Sequence, residues 1–144
     1  MQAQIPTSVD NNSMPTLKGL KVLVAEDNTI NQFMFSRMLR EWQVDFEMVA
    51  DGQAAVDILQ EKHFDVLLLD THMPVMDGIE VACMIRCEMS EPTRSMPIIS
   101  LSASSFDDER RAAVDAGMNV IMSKPFHAVD LYNNIELLTT RKAV

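Results

Sequence analysis

Five residues spread along the chain have side chains that suit one chemistry: Glu26, Asp27, Asp70, Ser102 and Lys124. Each closes a short apolar run or follows one closely. Val22 to Ala25 precede the acidic pair, Val66 to Leu69 precede Asp70, Pro97 to Leu101 precede Ser102, and Asn119 to Met122 stand just before Lys124. Brought together, three carboxylates repel one another, and each is costly to ionise alone. A hard divalent cation removes that cost, and oxygen ligands with room for water favour Mg²⁺. The cation and Lys124 would offset the charge of an incoming phosphoryl group, with a carboxylate such as Asp70 as nucleophile. Phosphoryl transfer needs mainly positioning and charge neutralisation, and this set offers both.

The elements that must position these residues alternate. Strands are expected over Lys21–Ala25, Val44–Val49, Val66–Leu69 (ending at Asp70), Pro97–Leu101 and Asn119–Met122. Between them the spacing changes to a helical one. Phe35, Met38, Leu39 and Trp42 mark the first helix, and Ala54, Ala55, Ile58 and Leu59 the second. Gly78 to about Met89 and Asp107–Ala116 make two more, the latter closed by Gly117 at a C-cap. Phe126–Leu138 completes the series, with Leu131, Ile135 and Leu138 on one stripe. Such a series implies an α/β fold, a doubly wound, flavodoxin-like five-stranded parallel sheet in the order 2-1-3-4-5 with helices on both faces. Ligands of such sheets bind outside the carboxyl ends of the strands, where Glu26, Asp27, Asp70, Ser102, Ala103 and Lys124 all fall.

Composition narrows the classes. The 144 residues suit one domain, residues 19–144, preceded by a flexible arm or linker over residues 1–18 that is rich in Pro, Ser and Asn. A net charge of −9 works against binding a nucleic-acid backbone. No apolar run is long enough for a membrane helix, and Met1–Thr16 lacks the apolar core of a signal peptide. Two cysteines, Cys83 and Cys87, suit a reducing compartment, so a cytoplasmic location is expected. They lack further ligands at metal-site spacing. His63 and His127 read as surface residues, and the 12 methionines as core and gap fillers.

Four segments carry a family resemblance. Val66-Leu-Leu-Leu-Asp-Thr-His-Met-Pro-Val-Met-Asp-Gly78 resembles the phosphoacceptor segment of two-component response-regulator receiver domains. Val22-Leu-Val-Ala-Glu-Asp-Asn28 resembles their acidic-pair segment, Pro97-Ile-Ile-Ser-Leu-Ser-Ala103 their hydroxyl segment and Ser123-Lys-Pro-Phe126 their lysine segment. The Glu-Asp-Asn form, with Asn31 just after, is most similar to the receivers of hybrid histidine kinases.

The resemblance implies a signalling domain of a phosphorelay, not a turnover enzyme. Asp70 would take its phosphoryl group from a histidine kinase or a histidine phosphotransfer protein. Asp27, Asp70 and the carbonyl of His72 would ligate Mg²⁺, with Glu26 acting chiefly through water. Lys124 would pair with the phosphoryl group or, beforehand, with Asp70. The Ser102 hydroxyl and the amides of Thr71 and Ala103 would bind phosphoryl oxygens.

Two departures bear on the switch. Ile121 stands three residues before the lysine, where such receivers often carry an aromatic, and Ser102 stands for the commoner threonine. Two rival readings remain. A haloacid-dehalogenase-like phosphatase also uses a nucleophilic Asp, Mg²⁺ and a lysine, but wants an Asp where His72 stands. A receiver that binds partners without phosphorylation is the other, and the intact acid pair, Asp70 and Lys124 argue against it.

Overall fold

A computed structural model of the chain describes residues 17–102 and 107–143. Strand β1 (Lys21–Ala25) sets the pattern for the core. Successive strand residues point to opposite faces. Val22 and Val24 pack toward one side of the sheet, Leu23 and Ala25 toward the other, and all four are buried. Strand β3 (Val66–Asp70) repeats this with Val66 and Leu68 against Leu67 and Leu69. Both faces of each strand are covered, which is why these strands read as unbroken apolar runs.

With β2 (Asp45–Val49), β4 (Ile98–Ser102) and β5 (Val120–Ser123) they form one parallel sheet, ordered β2-β1-β3-β4-β5. Helices α1 (Thr29–Glu41) and α5 (Ala128–Ala143) cover one face through Phe35, Leu39, Leu131 and Ile135. Helices α2 (Gly52–Leu59), α3 (Gly78–Glu88) and α4 (Asp107–Asp115) cover the other through Ala55, Val56, Val81, Ile85 and Ala113. The expected doubly wound fold is the one observed. Among the described residues, no helix is long and apolar enough to cross a membrane.

Side-chain caps fix where helices start. The side chains of Asn28 and Asp51 accept the amides of Asn31 and Ala54. Asp77 and Glu80 form a reciprocal capping box at α3. At the far end of α4, Gly117 has φ +100°; its amide reaches Val114 O at 3.0 Å and the Met118 amide reaches Ala113 O at 3.1 Å. This is a Schellman closure at the glycine expected to cap the helix.

Two boundaries differ from the sequence reading. Helix α5 starts at Ala128, two residues after Phe126, because the Phe126 ring is stacked on Phe35 at 5.9 Å before the helix begins. The core also begins earlier than Gly19: Leu17 is buried, held by a turn in which the Leu20 amide donates to Leu17 O at 3.0 Å. The arm expected before it lies, up to Thr16, outside the described residues.

Candidate functional site

The carboxyl ends of β1, β3, β4 and β5 meet at one edge of the sheet. Glu26, directly after β1, is wholly buried. Burial of a carboxylate requires partners. Its Oε2 accepts the Asn28 amide at 3.1 Å, and its Oε1 faces Lys124 Nζ at 3.2 Å. Lys124 Nζ stands 3.7 Å from Asp70 Oδ2, so the ammonium lies between the two carboxylates and nearer to Glu26. The backbone fixes this lysine as well, since its amide donates to Ser102 O at 2.7 Å. Asp27, beside them, is exposed.

Oxygens of Glu26, Asp27 and Asp70 lie within 4.8 Å of one another. Three carboxylates facing one ammonium leave an excess of negative charge. That donor set, all oxygen and partly open to water, fits a hard divalent cation. Asp70 itself is nearly buried. Desolvation pushes its carboxyl up to about 6 from 3.8, and the neighbouring Glu26 charge adds to this. The His72 amide, which donates to Asp70 Oδ1 at 3.1 Å, and the Lys124 ammonium work in the other direction. A cation in the cluster would favour the ionised, nucleophilic form.

One expected role is corrected. The Thr71 amide does not face the acceptor: it donates to Leu101 O at 3.2 Å, and the Thr71 hydroxyl donates to the same oxygen at 3.3 Å. Thr71 continues the β3–β4 ladder, which engages its N–H in the sheet. The amide aimed at Asp70 is that of His72, one residue later. Sequence reasoning missed it because the register at which the ladder ends decides which amide is free. Ser102 is buried at the end of β4, level with Ser123 of β5. Ala103 lies outside the described residues. Ile121 is partly buried and packs against the core beneath α3 and α4.

A response regulator receiver domain model matches residues 22–136. The chain belongs to the receiver domain family. It is 32% identical to hybrid signal transduction histidine kinase K of Dictyostelium discoideum, over 85% of this chain and 11% of that protein. It is 29% identical to transcription factor SKN7 of Saccharomyces cerevisiae, over 92% of this chain and 21% of that protein. The receiver thus spans about a tenth to a fifth of these relatives. Among solved structures it resembles the receiver domain of sensor histidine kinase PA1611 from Pseudomonas aeruginosa PAO1, which has a magnesium ion coordinated in its active-site cleft. The TM-score is 0.79 at 34% identity, covering 85% of this chain and 98% of that one. It also resembles the receiver of Ssk1, solved with the S. cerevisiae histidine phosphotransfer protein Ypd1. The TM-score there is 0.80 at 28% identity, covering 90% and 95%. The protein is therefore a receiver of two-component or phosphorelay signalling.

Proposed function

We propose that this receiver takes a phosphoryl group on Asp70 from a phosphohistidine, in a reaction that depends on Mg²⁺. The observation that carries the reading is Lys124 standing between Glu26 and Asp70 at the edge where three carboxylates converge. Glu26, Asp27, Asp70 and the His72 carbonyl would hold the ion. Bound there, Mg²⁺ neutralises charge on the phosphoryl oxygens. An Asp70 oxygen bonds to phosphorus as the bond from phosphorus to the donor nitrogen breaks. Lys124 then moves its charge from the carboxylates to the new phosphoryl oxygens. The His72 amide and the Ser102 hydroxyl donate to those oxygens. The product is an acyl phosphate whose change of charge alters partner contacts or is relayed onward. The domain acts as a signalling module with no second substrate of its own. Two exposed free thiols, Cys83 and Cys87, suit the reducing cytoplasm in which we place it.

The partner surface follows from exposure. Ile30, Phe33 and Met34 share one face of α1 and are 76%, 63% and 41% exposed. Val75, 79% exposed in the loop after β3, has φ +71°, a strained conformation for a β-branched residue. Val129 at the start of α5 is also exposed. All of them follow carboxyl ends of strands, so an apolar rim borders the acidic site. It fits a histidine phosphotransfer protein such as the one bound to the Ssk1 receiver. Phe33→Glu is expected to slow transfer from a phosphorylated histidine phosphotransfer protein at least tenfold, as loss of an interface anchor of about 1.4 kcal/mol or more does. Its labelling by acetyl phosphate should match wild type. Unchanged transfer from the protein donor would remove α1 from the partner surface.

A further inference from the structure

Glu109 stands in the first turn of α4, outside the site as described so far. Its Oε1 is shut off from solvent and accepts no well-formed hydrogen bond. The group facing it is the His72 imidazole, with Nε2 at 3.4 Å. Beside this contact lies a cleft of about 110 Å³ lined by Thr71, His72, Asp77, Ile79, Glu109 and Ala112. The two ends of the β3–α3 loop are pinned elsewhere. Thr71 is tied to Leu101 O, and the Gly78 amide donates to Thr71 O at 3.0 Å. Between those anchors, the His72 side chain ties the loop to α4.

What His72 carries makes the tie consequential. Its amide addresses Asp70 Oδ1, and its carbonyl is a ligand in the reading above. Restraining its side chain therefore restrains two backbone groups that face the reacting carboxylate. The restraint is a polar contact, the imidazole edge lying against this shielded oxygen with Nε2 at 3.4 Å. We propose that Glu109 is a positioning residue for the phosphoryl chemistry: from α4 it holds His72 and so fixes the loop backbone that faces Asp70. The link also runs outward, and α4 is coupled to Asp70 through His72. This inference rests on the Asp70 and Mg²⁺ reading.

The test is the Mg²⁺ dependence of labelling by acetyl phosphate, followed by intact mass on the full chain. Glu109→Ala and His72→Ala should each raise the Mg²⁺ concentration for half-maximal rate about fivefold, the size expected for the loss of one polar contact. In Glu109→Ala the rate at saturating Mg²⁺ should fall by less than the half-maximal Mg²⁺ concentration rises, a split that partial unfolding would not produce. The double variant should be no worse than either single one. Glu109→Gln keeps an acceptor oxygen and should stay within about twofold of wild type, since geometry and not charge is at issue. Asp108→Asn removes a charge one residue away, from a side chain 98% exposed, and should change nothing. An unshifted Glu109→Ala, an additive double variant, or an equal shift in Asp108→Asn would overturn the proposal. A normally labelled wild type in that case leaves the Asp70 reading standing, whereas a wild type that takes no phosphoryl group sinks both.

Discussion

Without metal, Asp70 works against the fold at neutral pH. Burial and the Glu26 charge raise its carboxyl from 3.8 to about 6, so the folded state holds that proton to higher pH than the unfolded state does. Stability from this group therefore falls as pH rises between those values, and the penalty is complete above them. Asp70→Asn should stabilise the metal-free protein by about 3 kcal/mol at roughly pH 7.5, given ~1.4 kcal/mol per pH unit. The gain should shrink toward zero near pH 3, where the folded and unfolded carboxyls are both largely protonated. Urea unfolding in a chelator at both pH values measures it; an equal gain at both would assign the effect to something other than charge. The proposed acceptor, Asp70, was legible in the sequence because an Asp closes an apolar strand among other polar strand ends. The Glu26–Lys124 pairing and the His72 amide were not, since they depend on which atoms a buried carboxylate and a ladder end bring together.

One helix abuts Asp70 closely. Helix α3 starts at Gly78, where a Cβ would lie 2.6 Å from Asp70 O and 2.8 Å from Thr71 Cα. The neighbours are backbone and cannot yield, so the glycine is there for space. Gly78→Ala should cost about 3 kcal/mol, at the upper end for overpacking, and slow acetyl phosphate labelling by displacing the Asp70 carbonyl. Thermal unfolding with and without Mg²⁺ reads the first effect, and wild-type stability would contradict the close approach. On β5, Ile121 is partly buried against the core beneath α3 and α4. It has no polar tip to keep in water, and its branched side chain has restricted χ1 freedom. Phosphorylation should therefore shift the start of α4 with little change at Ile121. Methyl NMR of the beryllofluoride-bound state checks this, and a rotamer change at Ile121 as large as the shifts in α4 would refute it. Strands and helix stripes were readable because their periodicities differ. The α5 start was misjudged because Phe126 is apolar like a helix residue but is engaged by Phe35 ahead of the helix.

At the scale of the whole molecule, the sheet order followed from chain alternation and handedness alone. The ties that hold its parts in place did not. Arg86 of α3 donates to Gly117 O at 3.1 and 2.8 Å and to Asn119 Oδ1 at 3.1 Å, fastening the α4–β5 turn to α3. Asn119 Oδ1 in turn accepts the Ile98 amide at 2.7 Å. A single arginine on a helix has no sequence signature for such a clamp. It steadies the far end of α4, while the near end faces Asp70 through His72 and Glu109. Three of the acidic side chains, Glu26, Asp27 and Asp70, converge at the carboxyl edge of the sheet, and the proposed phosphoryl transfer rests on them. Incubation with Mg²⁺ and acetyl phosphate, followed by intact mass, tests this most directly. Wild type should gain the mass of one phosphoryl group, and should gain none in chelator or as Asp70→Asn. Robust labelling of Asp70→Asn, or labelling of wild type unaffected by chelator, would contradict the account.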